Sequence, residues 1–135
     1  MNKAFWLGFA AYLLPTFPLG YVWHLRTFAS LYERLEMYRQ DVIIPFGLAA
    51  MVIQGLLFSW LYPKLFSTAR QDYLASALGF ALVFGLLAFS FAVLPVAAKY
   101  RMTSVRDFIV LETAFTILQF AIVAPLMSLA HRQAG

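Results

Sequence analysis

Glu112 is the only acidic side chain of this sequence that lies inside an apolar run, and Thr116 and Gln119 follow it at i+4 and i+7. On a helix the three share one face. A helix surrounded by lipid can be apolar on every other side, but a polar stripe must meet protein, water or a ligand. Carboxyl groups within membrane spans commonly mark proton or cation pathways. Gln54, central in another apolar run, is a natural partner, because two glutamines can hydrogen-bond directly across a helix pair. Glu112, Thr116, Gln119 and Gln54 are therefore the candidate substrate- or ion-binding residues. The opposing reading makes Glu112 a helix-end anchor, snorkelling toward the headgroups or pairing with Arg106 or Lys99.

Other chemistries find few residues to carry them. No G-x-S-x-G, H-E-x-x-H, phosphate loop or deep carboxylate pair occurs, so no residue is assigned a catalytic role. The chain has no cysteine, which excludes disulfides and thiolate chemistry. Its two histidines are too few for a histidine-rich metal centre. His24, beside Trp23 and Arg26, reads as an interfacial anchor, and four spans put it on the opposite side from His131, so paired haem ligation is excluded. Neither metal nor cofactor is expected. The net charge of +4 comes from short basic clusters between apolar runs rather than from a basic stretch suited to nucleic acid.

The elements that must position the stripe follow from hydropathy. Hydrophobic residues make up 63% of the 135, against about 45–50% in soluble domains. A soluble chain this short could not bury so much apolar surface. The expected fold is an all-α integral membrane protein in one domain. Four transmembrane helices form a compact bundle over residues 4–23, 42–61, 73–98 and 105–129. Between the first two spans, Leu25, Phe28, Tyr32, Leu35 and Tyr38 recur at helical spacing, and Ser30 with Glu33 matches a capping box. That pattern predicts a short amphipathic helix over residues 31–40, lying at the membrane interface.

Within the spans, Pro15 and Pro18 predict a kink or break in the first, with Gly8, Ala11, Pro15 and Pro18 as a close-packing face. Ala77, Ala81, Gly85, Ala88 and Ala92 form a small-residue ridge on the third, suited to internal packing or an oligomer seam. The strings MVIQGLLF and TILQFAIV, in the second and fourth spans, hint at an internal repeat. Six basic residues fall in the first and third connectors and four on the other side, which leans toward cytoplasmic connectors and outward termini in a bacterial inner membrane.

These features lead to a small membrane protein without evident catalytic machinery, serving as an accessory or assembly subunit or as a homo-oligomeric component. The alternative is an oligomeric transporter or channel with a polar site around Glu112. A membrane enzyme acting on a lipid-like substrate is the third reading. The expected partners are membrane lipids and further copies or a larger membrane complex.

Overall fold

Four helical stretches are long and apolar enough to cross a membrane: Lys3–Thr27, Ile44–Leu65, Arg70–Lys99 and Val105–His131. A computed structural model describes residues 1–132, and no β-strand occurs among them. The protein is an all-α integral membrane bundle, as its composition implies. Helix α1 (Lys3–Val22) runs into a π-helical turn at Trp23–Thr27, and the short α2 (Ala29–Arg34) follows. The second span is α3 (Ile44–Leu65). The third combines α4 (Tyr73–Ala88), a π-helical turn at Phe89–Val93 and α5 (Leu94–Lys99), and the fourth is α6 (Val105–His131).

One end of the bundle is closed by aromatic packing. Phe120, Val123, Ala124 and Met127 of α6 share a core with Tyr12 of α1, Tyr62 of α3 and Phe80 and Phe84 of α4. Phe58 of α3 bridges to α4, its ring 4.7 Å from that of Phe84. The same end is pinned by a polar clamp. The Ser59 hydroxyl donates to the Phe5 carbonyl at 2.6 Å and lies 3.0 Å from His131 Nε2. Because the serine proton is committed to the carbonyl, Nε2 must be the donor to Oγ. Ser59 and His131 thus form a structural clamp, with no free base for a nucleophile.

The other end is open. Residues 41–50 are all exposed, and the first half of α3 borders a cavity facing α1. The first connector fills part of this end. Tyr32 and Leu35 are buried there with Val93, Phe108 and Leu111, so the connector docks on the ends of the third and fourth spans.

Several local expectations need correction. The helix in the connector is α2 alone and ends at Arg34, short of the expected 31–40. Ser30 and Glu33 form no capping box. Phe28 is the N-cap, and the π-helical turn already supplies acceptors, with Phe28 N–H donating to Trp23 and Tyr32 N–H to Phe28. Glu36, with φ of 57°, ends the helix in the left-handed region, where a non-glycine residue costs about 1–2 kcal/mol. Thr103 of the third connector then caps it, its hydroxyl donating to the Arg34 carbonyl and its backbone N–H to that of Leu35. Tyr32 and Leu35 of the connector's apolar stripe therefore pack against protein, while Tyr38 stays partly exposed.

Helix α1 passes unbroken through Pro15 and Pro18. Its buried face is Phe5, Gly8, Tyr12, Thr16 and Gly20, which leaves Pro18 exposed. Of the ridge on the third span, Ala77, Ala81 and Ala88 pack on the common core, and Gly85 faces Phe120. The ridge meets α6 inside the chain. Ala92 leaves it, because the π-helical turn inserts a residue, turns Ala92 outward and buries Val93 instead.

Of the described glycines, Gly8 has the least room for a side chain, since an added Cβ would overlap Ser59 Oγ and His131 Nε2. Gly8→Ala should destabilise the bundle by about 1–3 kcal/mol. Gly47→Ala should leave it unchanged, as nothing lies within 4 Å of that added Cβ. Thermal unfolding in mild detergent compares the two, and equal melting would contradict this packing.

Candidate binding site

Glu112 lies on the second turn of α6, at the open end. Its carboxyl meets neither Arg106 nor Lys99 among the described residues. Its ionic partner is His24, with Nε2 2.9 Å from Oε1. The Tyr32 hydroxyl donates to the same Oε1 at 2.5 Å and accepts from Trp23 Nε1–H at 3.0 Å. On the far side of the imidazole, Nδ1 lies 2.9 Å from the Gly20 carbonyl. A carbonyl only accepts, so Nδ1 carries a proton. The Nε2–Oε1 contact then needs one more proton, held either by the imidazole or by the carboxyl. In both cases His24 and Glu112 together carry no net charge.

The result is a directional chain of hydrogen bonds: Trp23 to Tyr32 to Glu112, and His24 to Gly20. Each member comes from a different local device. The π-helical turn places Trp23 and His24 at the end of the first span, where widened turns often occur near functional positions. Helix α2 delivers Tyr32, which is 1% exposed. Tyr38 follows in the non-helical strand of the connector and stacks on Tyr32, with ring centres 5.0 Å apart. Phe115, one turn along α6 from Glu112, packs edge-on against His24. Burial raises the pKa of the Tyr32 phenol, and the Glu112 carboxyl that it bonds raises it further. Tyr38 is raised as well, by burial first and by Glu112 second.

The polar stripe read from the sequence divides into two centres. Thr116 Oγ1 donates back to the Glu112 backbone carbonyl at 2.8 Å, so it is satisfied within α6 and joins neither. Gln119 lies roughly 10 Å farther along the helix axis, at 1.5 Å per residue. It does not bond Gln54 directly. Tyr12 stands between them, accepting from Gln119 Nε2 at 3.4 Å and donating to Gln54 Oε1 at 2.5 Å. This second centre joins α1, α3 and α6 near mid-bundle. His24 is the partner of Glu112 rather than the interfacial anchor that its neighbours suggested. Tyr32, Tyr38 and Tyr12 are the site residues that sequence reasoning passed over. The usable signal was depth: an acid near the start of the fourth span needs a partner from the end of the first span or its connector.

Beside the Glu112 centre lies a cavity of about 540 Å³. Phe17, Val42, Ile44, Leu48 and Met51 give it apolar walls, and His24, Tyr38 and Arg39 stand at one end. Compared with known protein families, characterised proteins and solved structures, the chain matches none.

The raised Tyr32 phenol sets a pH dependence. A phenol held above its usual value near 10 stabilises the fold fully below that pH, and the contribution is lost as pH rises toward its folded value. Wild-type protein should therefore lose stability above about pH 10. Tyr32→Phe should lower stability at neutral pH by about 1–3 kcal/mol, because Trp23 and Glu112 lose their partner. It should also flatten the alkaline loss. Unfolding followed at pH 8 and pH 10.5 checks both, and an unchanged alkaline slope would contradict the assignment.

Proposed function

We propose that this protein binds an amphiphilic molecule at the open end of its bundle, its apolar part in the cavity between α1 and α3 and its polar part beside His24 and Tyr38. The observation that carries this reading is the juxtaposition of the two environments. His24, held by Glu112 in a group shared with Tyr32, lines a mostly apolar cavity together with Tyr38 and Arg39. Ligand sites commonly take this form, a largely apolar pocket with a few converging polar groups. Glu112 sits in second position. It holds His24 and Tyr32, while His24 and Tyr38 face the cavity.

This reading keeps the polar site of the transporter alternative and adds no catalytic step. The hydrogen-bonded groups at the open end are the Glu112 carboxyl, the His24 imidazole and the Tyr32 phenol. Membrane lipids and lipid-like molecules are the ligand pool most accessible to a cavity bordered by a bilayer-spanning helix. The basic excess of the connectors, six residues against four, supports a cytoplasmic side for this end if the membrane is a bacterial inner membrane. An assembly role is the second reading, favoured by the exposed first half of α3, which a partner helix could cover.

Gly47 provides a direct test, because it lines the cavity and its Cβ position is open. Native mass spectrometry of the protein from mild detergent should show a retained amphiphile on the wild type. Gly47→Phe should lose most of it while melting normally. Wild-type protein without a retained small molecule, but with a stoichiometric protein partner, would favour assembly instead.

A further inference from the structure

Resting on that binding reading, we infer that the occupant carries a cationic head group, an alkyl amine or quaternary ammonium amphiphile, seated against Glu33, Glu36 and Tyr38. A second compartment of about 560 Å³ adjoins the apolar cavity, and His24, Tyr38 and Arg39 line both. An amphiphile whose chain occupies the first therefore presents its head to the second.

Few charged groups line that second compartment. His24 and Glu112 cancel, wherever their shared proton sits. Of the fixed charges lining it, Glu33 and Glu36 contribute two negative and Arg39 one positive, a net of −1. Arg39 is also partly answered, since its guanidinium lies 3.4 Å from Asp41. The connector's other arginines, Arg26 and Arg34, do not line the compartment, and Arg26 lies over the Tyr21 ring. An anionic head would meet two carboxylates with one shared guanidinium in return. A cation meets the carboxylates favourably.

The aromatic groups point the same way. One face of Tyr38 stacks on Tyr32, while the ring as a whole remains 37% exposed and lines the compartment. The negative face of a phenol ring attracts ammonium groups, and quaternary ammonium ligands are commonly held this way. Glu36 adds a backbone observation. It occupies the left-handed position that ends α2, is exposed, and lines the compartment.

The test uses three ligands of equal chain length: dodecyltrimethylammonium, dodecyl sulfate and dodecanol. Each is titrated by calorimetry into the full-length protein in nanodiscs of neutral lipid, against empty nanodiscs. The ammonium ligand should bind roughly tenfold or more tighter than the sulfate. Glu33→Gln with Glu36→Gln should bring that ratio close to one and leave dodecanol unchanged. Both side chains are exposed, so this variant retains the core, and circular dichroism checks it. If none of the three binds above the empty-disc level, the binding reading itself fails. Binding without preference, or with preference for the sulfate, overturns the cationic head group while the site stands. A preference that survives the double substitution overturns its placement at Glu33 and Glu36.

Discussion

A carboxyl group inside a membrane bundle must be neutralised or paired, and this requirement on Glu112 organises the open end of the protein. The penalty for an unpaired charge at the middle of a span is about 2.5–3.5 kcal/mol even on the more lenient insertion scales, and it falls toward the span's ends, where Glu112 lies. Here the demand is met by two residues far away in sequence, His24 at a separation of 88 and Tyr32 at 80. Both belong to the end of the first span and its connector. Pairing Glu112 therefore folds the connector down onto the bundle.

Other features follow from that docking. Leu35 is carried into a core with Val93, Phe108 and Leu111, and Thr103 closes the last carbonyls of α2. The chain must then climb back to the start of α3 through residues with no helical repeat. That return path runs along the cavity rim and places Tyr38 and Arg39 there. The closed end has a different physical basis, being held by aromatic rings and by the Ser59–His131 clamp. The bundle thus pairs a tightly packed end with an end whose empty volume has mostly apolar walls and a few polar groups among them.

The four spans were legible because lipid imposes length and hydropathy on each helix independently of its neighbours. The pairing of Glu112 with His24 was not, since it depends on the relative rotation of α1 and α6, which no local pattern encodes. Gln54 and Gln119 show the same limit. Gln119 is buried and Gln54 is exposed, yet both bond the intervening Tyr12, which comes from a helix that looks uniformly apolar in one dimension. The π-helical turns were equally hidden. One of them shifts the face of the third span between Ala88 and Ala92, and a fixed spacing of three and four residues cannot anticipate an inserted residue. The connector misled for a further reason: its apolar stripe is real, but an amphipathic pattern does not say whether protein or lipid receives it.

The most direct measurement is a double-mutant cycle between Tyr32→Phe and Glu112→Gln, read by hydrogen exchange of the connector amides at residues 29–36. If the carboxyl holds the connector through the phenol, the two changes share one interaction. Their effects should be non-additive by about 1 kcal/mol or more, a coupling typical of contacting groups. Strictly additive effects, or connector amides that exchange at unprotected rates in the wild type, would contradict the pairing of Glu112 with Tyr32.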